Sequence, residues 1–323
     1  MSNKWLRGLL WAGTGLAGMA IINAEVARRV DPLDPTGSLE GEANYYQWSL
    51  GRVFYTVAGQ GDPLVLIHGF EIGMDSQVWR YIFKPLTQKF RVYAYDQLGF
   101  GLSDRPDITY NPDLYIHLQR DFVRDVVRGA ATAVADGLAS AHSVLAASLY
   151  PTLFENLILI HPFATRGWFH RPDWQWSLTH TILRSPVLGE MLVNIIASRS
   201  SIRRRLGEKL CTKWTDDDES LLEAHYISSH QPGARHAIAA YITGLLELDI
   251  RLAFARLQQP VTVVWGRGDR TLPAARVEYL LDLNPSAHIA VVENSGPYIA
   301  YEAPHELARI IENAVTNNHW DKR

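Results

Sequence analysis

Ser140 and His142 put a hydroxyl and an imidazole two positions apart, the residue types needed for nucleophilic attack with general-base help. Both fall on the first turns of a helix-like stretch, Leu138–Leu149, where residues two apart do not face each other, so they are not expected to form a catalytic pair. Gly99-Phe100-Gly101 has the beginning of a phosphate-cradling loop but lacks the third glycine, which argues against a dinucleotide. Cys211 is the only cysteine, so neither an internal disulfide framework nor a cysteine-built metal site can come from this chain. No His/Glu pair stands at metal-ligand spacing on a convincing helix, and neither a metal nor another cofactor is expected. Arg203-Arg204-Arg205 is a short basic run in a chain of net charge −3, with 31 Lys+Arg against 34 Asp+Glu. Nucleic-acid phosphates reward a clustered basic face, and none is expected here.

The elements that must carry such residues alternate. The chain has 323 residues, 47% of them hydrophobic, an ordinary globular composition that excludes disordered and collagen-like classes and suits either two domains or one large α/β domain with an insertion. Strand-like runs at Tyr45–Leu50 and Arg52–Ala58 are followed by the apolar runs Pro63–Phe70, Phe90–Asp96, Ala131–Ala135, Asn156–Ile160, Val261–Gly266 and His288–Val292. Helical periodicity at Ser76–Leu86, Leu114–Arg128 and Leu138–Leu149 separates several of them. Continuous apolar strands alternating with helices predict a mostly parallel sheet covered on both faces. Residues 164–257 break the alternation with aromatic and helical sequence, including the acid-started Thr215–Ile227, and predict a helical cap between two parts of the core, 44–163 and 258–323. Residues 31–43, holding two prolines, two glycines and four acids, predict an exposed linker.

In this order Ile67–Phe70 (IHGF), Tyr95–Pro106 (YDQLGFGLSDRP), Tyr150–Ile160, Val263–Asp269 (VVWGRGD) and Glu293–Pro304 (ENSGPYIAYEAP) resemble the α/β-hydrolase superfamily. The resemblance implies an eight-stranded, mostly parallel sheet with a helical cap and a triad above the strand ends. The nucleophile position, on the elbow Ala135-Asp136-Gly137-Leu138-Ala139, then falls on Gly137, which has no side chain to attack with. Glycine there relieves a strained turn by about 1–3 kcal/mol. The base position, a histidine upstream of Glu302-Ala303-Pro304 in the family, is Pro297, which cannot accept a proton. Asp269 fills the acid position and, without that histidine, is expected to pair with Arg267 or Arg270 or to serve its turn. Asp136 lies one position too early for a dehalogenase-like nucleophile, with its side chain expected to point away from the elbow tip; His68 is expected to be structural. Oxyanion amides are expected at Phe70 and Leu138, and Glu71 puts a carboxylate beside them, unfavourable for acyl transfer unless it points outward.

The first thirty residues differ from the rest. Gly8–Ile22 carries no charge, with Lys4 and Arg7 before it and Glu25, Arg28 and Arg29 after it. Its fifteen residues fall short of the ~20 that span a bilayer, and the reading is a spanning or half-inserted anchor over residues 4–27, with a cleaved signal peptide, hence secretion, as the alternative. Basic residues on both flanks leave the side of the membrane open. Together these features suggest a membrane-tethered protein that has lost serine-hydrolase catalysis and serves as a binding or complex subunit, its partner a membrane protein complex or an apolar ligand. The alternative is a hydrolase of a hydrophobic ester with an unconventional site. Trp168, Phe169, Trp174 and Trp176 would line an apolar ligand pocket, face a partner or the bilayer, or pack as ordinary cap core.

Overall fold

Strands form where apolar residues run unbroken, and the computed structural model, which describes residues 4–35, 39–162, 174–211 and 214–316, joins eight of them into one sheet. They are β1 (Glu42–Trp48), β2 (Gly51–Ala58), β3 (Pro63–Ile67), β4 (Arg91–Tyr95), β5 (Ala131–Asp136), β6 (Phe154–Ile160), β7 (Val261–Gly266) and β8 (His288–Val292). The spatial order is β1-β2-β4-β3-β5-β6-β7-β8; β2 runs antiparallel to β1 and β4, and the remaining pairs are parallel. The helices in chain order are α1 (Lys4–Arg28), α2 (Arg80–Leu86), α3 (Pro112–Phe122), α4 (Leu138–Leu149), α5 (Trp174–Arg184), α6 (Leu188–Ile196), α7 (Arg199–Lys209), α8 (Asp216–Ser229), α9 (Ala234–Ile242), α10 (Arg251–Ala255), α11 (Ala274–Leu283), α12 (Ile299–Glu302) and α13 (Pro304–Thr316). This is the α/β-hydrolase architecture.

Alternation along β3 shows how both faces are covered: Val65 and Ile67 enter a core shared with α3, α4, α10 and α11, while Leu64 and Leu66 enter a second shared with α2, α12 and α13. Helices α5 to α9 stand between β6 and β7 as the cap. Thr215 and Asp218 start α8 with a reciprocal capping box, the Asp218 carboxylate accepting from the Thr215 amide at 2.6 Å. The cap rests on the core where Ile202, Leu206, Leu221 and Leu222 pack with Met74 and Tyr298.

One expectation about the N-terminal region is corrected. Among the described residues no helix is long and apolar enough to cross a membrane. The run within α1 is diluted by Gly8, Gly13, Thr14, Gly15 and Gly18, so its length does not bring the hydropathy of a span. Most of the described residues of the 31–43 segment are exposed, while β1 begins at Glu42, Leu39 is buried in the second core, and Gln231 donates to the Asp31 carbonyl at 3.0 Å.

Candidate active site

Because β3 lies between β4 and β5, the connections leaving β3 and β5 diverge, and the crevice at their C-terminal ends is where open α/β sheets place ligands. The loop beginning at His68 follows β3 and the elbow at Gly137 follows β5. Gly137 has φ 56° and ψ −128°, a conformation L side chains resist, and its amide is held by the Ile160 carbonyl at 2.9 Å. Leu138 then opens α4, and first-turn helix amides have no intrahelical acceptor, which leaves them available to an anion. The turn geometry is present with no side chain on it.

A cluster of charge surrounds this turn. Glu71 points inward: it pairs with Lys209, the last residue of α7, and accepts from the Tyr298 hydroxyl at 2.6 Å. Burial pushes the Glu71 carboxyl up, but the ammonium and the two hydrogen bonds outweigh it and hold it down at about 2. Its negative charge is thus locked in place and already compensated. Asp136, the last residue of β5, has Oδ2 3.4 Å from where a Cβ on Gly69 would stand, so its carboxyl is turned toward the loop after β3. Burial first, then the Glu71 charge, push Asp136 up to about 8, and Lys209 only partly offsets them. Two carboxyls whose environments drive them in opposite directions are the usual mark of separate acid–base roles.

Asp269 does not pair with either neighbouring arginine. Arg267 binds Glu293 at 2.5 Å, and Asp269 pairs instead with His161, the residue directly after β6. Asp269 Oδ1 also accepts from the Thr271 amide at 2.7 Å, the Thr271 hydroxyl at 2.8 Å and the Leu272 amide at 3.1 Å. Burial raises Asp269, yet His161 and Thr271 together bring it below the ordinary carboxylate range. His161 has φ 46°, a left-handed backbone that costs a non-glycine residue on the order of 1 kcal/mol or more and persists only where the surroundings hold it. A depressed native value means that Asp269 adds stability above the unfolded pKa of about 4 and that this is lost as pH falls through the native value. Asp269→Asn is therefore expected to lower the unfolding free energy by about 1–3 kcal/mol at pH 7, with the difference from wild type closing in acid, as read by urea titrations across pH.

Pro297 is buried in the loop after β8, and the next residue, Tyr298, reaches Glu71. The Phe70 side chain turns into the core against Tyr115 and His142, ring centroids 4.4 and 5.0 Å apart, so that residue can offer the site its amide only. His68 is structural, its Nδ1 donating to the Gly69 carbonyl at 2.6 Å and its Nε2 accepting from the Gln97 amide at 2.9 Å. Ser140 and His142 point into the core, to the carbonyls of Ala135 and Leu246 at 2.8 Å each. Trp168 and Phe169 lie outside the described residues. Among the described residues no three His, Cys, Asp or Glu side chains group as metal ligands.

His161, Lys209 and Tyr298 escaped the sequence reading. For His161 there was a signal, a titratable residue at the C-terminal end of a buried parallel strand. For Lys209 and Tyr298 there was none. The end of α7 docks closely on the core: a Cβ on Gly296 would come within 2.3 Å of the Lys209 carbonyl, and one on Gly268 within 2.3 Å of the Cys211 sulfur. Glu302 fastens that contact, accepting from the amides of Cys211 at 2.6 Å and Gly296 at 2.8 Å.

Residues 64–310 match the model of a family described as the alpha/beta hydrolase family. The chain is 26% identical over 263 residues to 2-hydroxy-6-oxo-6-(2'-aminophenyl)hexa-2,4-dienoic acid hydrolase of Metapseudomonas resinovorans, covering 79% of this chain and 84% of that one. It is likewise 26% identical over 270 residues to the pimeloyl-[acyl-carrier protein] methyl ester esterase of Aeromonas hydrophila, covering 80% and 96%. Among solved structures, a serine hydrolase involved in carbazole degradation superposes with a TM-score of 0.71 at 21% identity, covering 85% of this chain and 99% of that one. These relatives are hydrolases, which weighs against the non-catalytic reading of the sequence and toward its alternative. With the sheet order, the elbow and a family match over most of its length, the chain belongs to the alpha/beta hydrolase family.

Proposed function

We propose that the protein hydrolyses an uncharged, apolar ester by direct attack of water, with Asp136 as general base. The observation that carries this is the placement of the Asp136 carboxyl at the end of β5, turned toward the loop after β3 and next to the Glu71–Lys209 pair, where burial and the Glu71 charge push it up to about 8. A carboxylate so shifted is a far stronger base than an ordinary one and is partly ionised at neutral pH. In the step it takes a proton from water as the water oxygen bonds the ester carbonyl carbon. The amides of Phe70 and Leu138 stabilise the oxyanion. Collapse breaks the C–O bond, the acid is released, and the departing alkoxide takes the proton back from Asp136. No side chain is needed at Gly137 for this sequence. Glu71 already has its counter-charge in Lys209, which favours a neutral substrate over an anionic one.

The test is a panel of short- and long-chain acyl esters offered to wild type and to the double variant Gly137→Ser, Pro297→His. Turnover by wild type supports water attack. A silent wild type with a double variant that gains turnover overturns it in favour of a binding protein with an intact pocket.

A further inference from the structure

Helix α1 turns its polarity the wrong way for a helix packed on a soluble body. Asn23 is buried against the cap, its amide donating to the Val187 carbonyl at 2.9 Å and its carbonyl oxygen accepting from Asn194 at 3.1 Å. Met19 and Val26, on the same side, are half-buried, while Ile21 and Ile22 face outward, 70% and 48% exposed. A helix stabilised by its soluble surroundings puts the isoleucines in and the asparagine out. Leu16 stands two turns before Asn23 on the same side and is 50% exposed, so α1 has already run past the body there, and the uncharged sequence continues back to Gly8. On α6, Leu188 and Ile195 flank the two Asn23 contacts, lie seven positions apart on one face, and are exposed as well.

Charge identifies what covers this surface. Of the charged residues in the first thirty, Lys4, Arg7, Arg28 and Arg29 are basic and only Glu25 is acidic, in a chain whose net charge is −3. Arg28 and Arg29 both reach Glu25, at 2.6 and 2.7 Å, and remain three-quarters exposed. Basic residues at both ends of an apolar run too short and too glycine-rich to span fit a helix seated in the headgroup layer of an anionic bilayer.

We propose that α1, with the exposed face of α6, docks the protein onto an anionic lipid surface without spanning it, independently of what the active site turns over. The full-length chain is tested by flotation with phosphatidylcholine vesicles with and without phosphatidylglycerol. Binding is expected to be about tenfold or more stronger with phosphatidylglycerol and to weaken with salt. Ile21→Glu with Ile22→Glu is expected to reduce binding to the mixed vesicles about 10²-fold with an unchanged thermal unfolding curve. Ile195→Glu, on α6, gives a second test of the same surface should the α1 variant not fold. Absence of binding to either vesicle, or equal binding to both at all salt concentrations, would overturn the proposal. So would a wild-type dimer in light scattering that Ile21→Glu disrupts while vesicles are ignored, since a second copy would then be the cover.

Discussion

Asp136→Asn is expected to lower kcat/KM for a neutral acyl ester by about 10²–10³-fold and to remove the rise of rate with pH centred near 8. Asparagine keeps the shape of the side chain and loses only the ability to take a proton from water, so the loss isolates the base. The stability change runs the other way. Because the native pKa of Asp136 is raised, the folded state holds a proton that the unfolded state releases from pH 4 upward, and stability falls as pH rises toward 8. The asparagine variant avoids this and is expected to gain on the order of 3 kcal/mol in unfolding free energy at pH 8, a figure discounted for partial exposure, with little change at pH 4. A variant that is more stable and nearly inactive fits a base. One that retains full activity with an unaltered pH profile would remove Asp136 from the mechanism.

Lys209→Met is expected to cost about 2–3 kcal/mol of stability at pH 7, because it strands the Glu71 carboxylate between cap and core. Both side chains are only 19% exposed, which places the cost near the lower end of that for a broken buried pair. The same substitution removes a positive charge that holds Asp136 down, so the midpoint of the pH–rate profile is expected to move up. Adding Glu71→Gln should restore most of the stability and carry the midpoint below the wild-type value, since Glu71 is the leading charge pushing Asp136 up. Urea titrations and rate profiles of the two single variants and the double variant close the cycle. Additive stability losses would mean that Lys209 and Glu71 act separately and that the pair is not what joins α7 to the active-site loops.

The relation of sequence to structure divides along range. Apolar runs set the strands, as in Leu64–Ile67 and Val261–Gly266, because a buried parallel strand needs both faces apolar. The elbow was legible for a similarly local reason: small Ala135 and Ala139 on either side of Gly137, between a strand and a helix, leave one backbone path with a positive φ. That Gly137 has no side chain to attack with and that Pro297 cannot accept a proton follow from residue type alone. What surrounds them does not. Glu71 meets partners 138 and 227 positions away, and no periodicity links residues so separated. The strand order carries His161 to Asp269, and the docking of α7 carries Lys209 to Glu71. Burial and the Glu71 charge then turn Asp136, whose side chain was expected to point away from the elbow tip, into a carboxyl that holds its proton near neutrality. In α1 the residue types were plain, but which side faced the protein depended on Asn23 finding Val187 and Asn194. Residue type and spacing act through the local backbone and so can be read along the chain; charge, desolvation and pairing act through space, and only the folded structure brings those groups together.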